Sequence, residues 1–119
     1  EGGADLLLIE TAFDTRNIKA ALLAVQRLER ELEIRIPTMV SGTIERWGAM
    51  LAGQPADAFY ASVAHADLLS VGLNCATGPG FVTDHIRPLA PCPYVGCIPI
   101  GATGHSSSAP SALADSLVT

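Results

Sequence analysis

The chain is poor in the features that mark a nucleic-acid binder. Seven Lys and Arg stand against twelve Asp and Glu, for a net charge of −5, and the basic residues are dispersed rather than gathered in a patch. Aromatic residues make up only 5% of the chain, too few for a base-stacking platform. Long hydrophobic runs are missing too. The apolar stretches are strand-length, short of the ~20 residues of a membrane span, and no charged segment precedes an apolar run as in a signal peptide. Cysteine is scarce: Cys75, Cys92 and Cys97 are odd in number and form no C-x-x-C pair. That argues against a disulfide framework and makes the reducing cytoplasm the expected location. Charged residues are few (16%) and hydrophobic ones plentiful (49%), a balance that excludes disorder and suits a buried parallel sheet covered by helices.

What is present is a repeated pattern. Leu6 to Ile9 runs into Glu10, Thr38 to Val40 into Ser41, and Leu68 to Leu73 into Asn74 and Cys75. The spacing of about 30 residues is that of strand-plus-helix units in a parallel α/β fold, whose reactive groups gather at strand C-termini. Three such ends would share one rim, bringing a carboxylate, a hydroxyl and a thiol together. At 119 residues the chain is about half of the ~250 that a closed (β/α)8 barrel needs. Its first residue is not Met, and Glu1-Gly2-Gly3-Ala4 reads like the end of a helix. The expectation is therefore a piece of a larger α/β protein.

Between the first two strands, Ile18, Ala21, Leu22, Val25, Leu28 and Leu32 recur at helical spacing, with Asp14 or Thr15 as the N-cap. Ile36 to Val40 reads as a buried strand with Pro37 at its first position. Gly42 to Gln54, carrying three glycines and the lone Trp47, reads as a long loop of the kind that bears function. Pro55 suits the first turn of a second helix whose apolar face is Ala56, Phe59, Tyr60 and Val63. A third helix is expected to bury Phe81, Val82, Ile86 and Leu89, and a fourth strand to span Tyr94 to Ile98. Residues 1–98 thus form the ordered part. Residues 99–119, rich in Gly, Ser, Ala and Thr, read as a low-complexity, disordered tail with a short helix over Ser111 to Leu117.

Several residues could carry chemistry. Cys75, at a strand end before Gly78-Pro79-Gly80, is a metal ligand, a nucleophile or a small core residue. As a nucleophile it would want His85 as its base, but that histidine is expected to face away from the strand ends. Cys92 falls at the wrong end of the fourth strand, and Cys97 could point inward as a ligand or as core filler. Glu10 follows four apolar residues, so its carboxylate should be partly buried and need a partner, a substrate ammonium or an arginine from another strand. Ser41 and Thr43 flank Gly42 in what reads as a turn, able to present hydroxyls and N–H groups to a carboxylate or simply to build the turn. Asn74 could orient a ligand or cap a turn. Gly78-Pro79-Gly80 lacks phosphate-loop spacing, and a Ser41–His65–Asp67 triad fails because His65 and Asp67 belong at the opposite end of the sheet.

Together, Leu8-Ile9-Glu10-Thr11-Ala12-Phe13-Asp14-Thr15, Ser41-Gly42-Thr43-Ile44, Leu51-Ala52-Gly53-Gln54 and Gly72-Leu73-Asn74-Cys75-Ala76-Thr77-Gly78-Pro79 closely resemble the homocysteine-binding region of the cobalamin-dependent methionine synthases, in order and spacing, from about Gly2 to Arg87. The same barrel occurs in betaine- and S-methylmethionine-dependent homocysteine methyltransferases, but the Ile-Glu-Thr and Ser-Gly-Thr-Ile wording is similar to the cobalamin branch. The resemblance implies a partial (β/α)8 TIM barrel of about four parallel strands and three helices. It implies zinc as cofactor, with Cys75 as first ligand and an adjacent pair from a Gly-Gly-Cys-Cys motif that this sequence lacks. It also implies that Glu10 binds the homocysteine amino group, with Ser41, Thr43 and Asn74 around the substrate.

In that family zinc lowers the pKa of the incoming thiol, about 8.5 for a cysteine-like group, so that homocysteine attacks a methyl group as thiolate and leaves as methionine. The methyl donor would be methylcobalamin, and the partners would be the cobalamin and folate domains. The wording departs from the family after Pro99, as a reading-frame shift or a divergent junction would produce. One rim thiolate cannot hold catalytic zinc, so the 119-residue chain is expected to be inactive alone. The other readings are a non-catalytic α/β module associating through open sheet edges, or another barrel enzyme using Glu10 as general base.

Overall fold

The computed structural model describes residues 2–74, together with 84, 85 and 89. The described chain is α/β, in the order β1 (Leu7–Ala12), α1 (Thr15–Leu32), β2 (Thr38–Thr43), α2 (Ala56–Val63) and β3 (Ser70–Asn74). The three strands form one parallel sheet in the order β1-β2-β3. Sequential order with a helix in each crossover is what βαβ units impose, and it fits a stretch of barrel wall. Asp84 and His85 are helical, as expected of the third helix. Leu89 is buried in the core, as expected; the other residues of that helix, the fourth strand and the tail lie outside the described residues.

Helix α1 starts where its cap dictates. Asp14 is extended (φ −151°) and its Oδ1 accepts from the N–H groups of Arg16 at 2.8 Å and Asn17 at 3.0 Å, so Asp14 rather than Thr15 is the cap. Glu33 ends the helix in the left-handed conformation (φ 52°), and Ile34 N–H closes the turn onto Glu29 O at 3.1 Å. Ile18 and Leu22 are buried as their spacing predicts, whereas Leu28 and Leu32 are exposed. Length explains this difference. Eighteen helical residues span about 27 Å against about 20 Å for a six-residue strand, so the last turns of α1 run past the sheet.

The core lies between the sheet and the two helices: Ile18 and Leu22 of α1, Ala56, Phe59 and Val63 of α2, and Val40, Val71 and Leu73 of the strands, with Ile44, Met50 and Leu68 from the connections. Each large apolar side chain buried here contributes about 1.5–3 kcal/mol. Pro55 is the N-cap of α2 and not part of its first turn. Pro37 lies just before β2, where its carbonyl accepts Leu7 N–H at 2.9 Å. At the N-terminal end of the sheet, Arg35 joins Glu29 of α1 to Asp67 of the α2–β3 connection through two ion pairs. The ends of two elements are tied together there.

Candidate functional site

Two facts settle which way the strand residues face. A Cβ on Gly42 would lie 3.1 Å from the Phe59 ring, so Gly42 looks toward α2. Side chains alternate along a strand, and the pairing of Val40 with Ile9 and Val71, and of Gly42 with Leu73, carries that assignment across the sheet. Met39, Ser41, Thr43, Ser70, Gly72 and Asn74 therefore occupy the face away from the helices.

Strand β1 adds a device that sequence reading missed. Leu7, Leu8 and Ile9 pair in register with Thr38, Met39 and Val40, but the next pair is Ala12 with Gly42, which leaves one residue extra in β1. Ile9 and Ala12 both pack against the core, so the two residues between them, Glu10 and Thr11, both project from the opposite face. This is a β-bulge, and such bulges re-aim side chains. Thr11 takes up the distortion with φ 57°, a left-handed conformation uncommon for a β-branched residue.

The ends of the three strands are stitched together on that face. Asn74 Nδ2 donates to Thr11 Oγ1 at 3.1 Å, and Thr43 Oγ1 donates to Asn74 Oδ1 at 2.9 Å. Ile44 N–H adds a backbone bond to Asn74 O at 3.2 Å. Asn74 is only 5% exposed, and its carboxamide bridges β1 and β2 from β3. Ser41 is wholly buried on the same face, and its Oγ has no hydrogen-bond partner among the described residues. A buried hydroxyl without a partner costs stability.

Ser41, Gly42 and Thr43 are strand residues paired to Gly72, Leu73 and Asn74, not a turn; at Gly42 a side chain would crowd the Phe59 ring. Asn74 is likewise in strand, and β3 begins at Ser70 rather than Leu68. Glu10 lies within β1, not beyond it, and is exposed rather than partly buried, because β1 is the edge of the described sheet and alternation from the core-facing Ile9 puts its side chain on the open face. His85 does not point away from the strand ends: a Cβ on Gly48, in the loop that leaves β2, would stand 2.7 Å from His85 Cε1. The connection carrying His65 and Asp67 precedes β3, at the opposite end, as expected.

The β2–α2 connection is built over the strand ends. Met50 N–H donates to Gln54 O and Gly53 N–H to Met50 O, each at 2.8 Å, while Gln54 Nε2 reaches Thr15 Oγ1 at 2.9 Å and fastens the loop to the start of α1. Trp47 and Leu51 are exposed on this loop, each at 65%. Cys75, Cys92 and Cys97 lie outside the described residues. Among the described residues no three His, Cys, Asp or Glu side chains converge on a possible metal position, so they do not themselves make a zinc site. No helix among them is long and apolar enough to cross a membrane. Compared with known protein families, the chain matches the family model described as homocysteine S-methyltransferase over residues 1–117.

Proposed function

The chain belongs to the homocysteine S-methyltransferase family, and we propose that its face of polar strand ends holds homocysteine for methyl transfer in the manner of the cobalamin-dependent methionine synthases. The observation that carries this reading is the placement of Glu10, Ser41, Thr43 and Asn74 on one face, with Thr43 and Asn74 joined directly. Active groups of parallel α/β barrels collect at this end of the strands.

In this reading the exposed Glu10 carboxylate takes the substrate ammonium by a charge-assisted hydrogen bond. The Ser41 hydroxyl, without a hydrogen-bond partner among the described residues, and the Thr43 hydroxyl serve the substrate's polar backbone atoms, and Asn74 borders the pocket. Holding both ends of the amino acid leaves its sulfur as the group free to meet a methyl donor, so orientation is what these residues supply. Methyl transfer forms the sulfur–carbon bond while the bond between methyl and donor breaks, its electron pair leaving with the donor. Cys75, next to Asn74 in sequence, is proposed as a zinc ligand. Methylcobalamin as donor, the cobalamin and folate domains as partners, a complete barrel and a cytoplasmic location belong to the same proposal.

The test is a titration with homocysteine and with 4-mercaptobutanoate, which keeps the thiol and carboxylate but lacks the amine. Wild-type protein is expected to prefer homocysteine, and Glu10→Gln to lose most of that preference. Equal binding of both thiols by the wild type removes Glu10 from the amine site. Binding of neither overturns the reading.

A further inference from the structure

Thr11 is held in an unfavourable backbone conformation at an exposed position, so something other than close packing keeps it there. The described contact that does so is Asn74. Its Nδ2 donates to Thr11 Oγ1 at 3.1 Å while its Oδ1 accepts from Thr43 Oγ1 at 2.9 Å, and the carboxamide is buried at 5% exposure. Because Thr11 has φ 57°, Glu10 and Thr11 fall on one face. An ordinary extended residue at position 11 would remove the bulge, and a one-residue change of register reverses the side to which the following side chains point.

We propose that Asn74 is a positioning residue, acting through Thr11 to fix where the Glu10 carboxylate stands beside the end of β3. This rests on the proposed function for the ligand it concerns, but the geometry it sets exists without a ligand. The bridge spans all three strands at their C-terminal ends. One carboxamide thereby relates the side chain proposed to hold the substrate amine to the strand that leads into Cys75.

The experiment uses Thr11→Val, which keeps the β-branched shape but cannot accept the Asn74 hydrogen bond, and Asn74→Leu, which removes the whole bridge. Thr11 is exposed, so Thr11→Val is the variant that should fold even if Asn74→Leu does not. Backbone amide resonances of Glu10 and Thr11 are compared with wild type without ligand, and homocysteine and 4-mercaptobutanoate are then titrated. Both variants are expected to shift the Glu10 and Thr11 resonances. Both should also weaken homocysteine by about fivefold, the scale of one lost hydrogen bond, and Thr11→Val should leave the amine-free analogue unchanged. The proposal is overturned if Thr11→Val leaves the Glu10 resonance in place, or if Thr11→Val weakens both thiols equally, which is the mark of a merely structural role. Should wild-type protein bind neither thiol, the functional reading falls, and the resonances alone decide the positioning role.

Discussion

The far end of the Phe59 ring lies against Gly42, with Cε1, Cζ and Cε2 at 3.1–3.3 Å from the position a Cβ would take. The contact seats α2 on β2 directly behind Ser41 and Thr43, so the core and the candidate site share one strand. Gly42→Ala has to displace a ring that is itself 0% exposed. Overpacking of this kind costs about 1–3 kcal/mol, and the loss should appear as a lower midpoint in denaturant unfolding at an unchanged slope. A stability equal to wild type would mean that α2 is free to slide.

Ser41 should show stability and binding moving apart. Its buried Oγ has no hydrogen-bond partner among the described residues, so Ser41→Ala relieves a desolvated hydroxyl and is expected to match or exceed wild type in thermal stability. The same variant should bind homocysteine about five- to tenfold more weakly, the effect of losing one polar contact. A fall in stability of more than about 1 kcal/mol with unchanged affinity would assign Ser41 to the fold alone.

Gly48 combines a left-handed backbone, φ 85°, with His85 Cε1 at 2.7 Å from a would-be Cβ. Gly48→Ala therefore strains the backbone and pushes against the imidazole at once. The expected result is local loosening of the β2–α2 connection, read as faster amide exchange from Glu45 to Gln54, with global stability lowered by about 1–3 kcal/mol. Unchanged exchange in that segment would show that His85 yields without cost.

Zinc tests Cys75. The sequence holds three cysteines and no Gly-Gly-Cys-Cys pair, and catalytic zinc sites use three protein ligands. The 119-residue chain is accordingly expected to bind zinc weakly and to transfer no methyl group by itself. What zinc it does take, measured by competition with a chelating dye, should be lost in Cys75→Ser and retained in Cys92→Ser. The opposite pattern removes Cys75 as ligand.

Local chemistry made much of this protein legible from residue order alone. Asp14 announces the start of α1 because a carboxylate there satisfies two N–H groups that the helix leaves open. Ile18 and Leu22, and Phe59 and Val63, are found inside because their spacing puts each pair on one helical face. The polar groups at Glu10, Ser41, Thr43 and Asn74 were visible as ends of apolar runs, and the matched wording around them carried the family.

Long-range pairing decided the rest. Nothing adjacent to Thr11 in sequence marks it as left-handed; the bulge exists because Ala12, not Thr11, lies opposite Gly42. Ser41 to Thr43 resembled a turn because Ser, Gly and Thr build turns locally, yet β3 supplies partners that hold them extended and Phe59 supplies the reason for the glycine. Leu28 and Leu32 carry helical periodicity but find no sheet beneath them. Hydrophobic period and capping depend on neighbours a few residues away, so the order of residues determined them. Register, exposure and the Thr11–Asn74–Thr43 bridge depend on groups up to 63 positions apart, and those meet only when the strands are laid side by side.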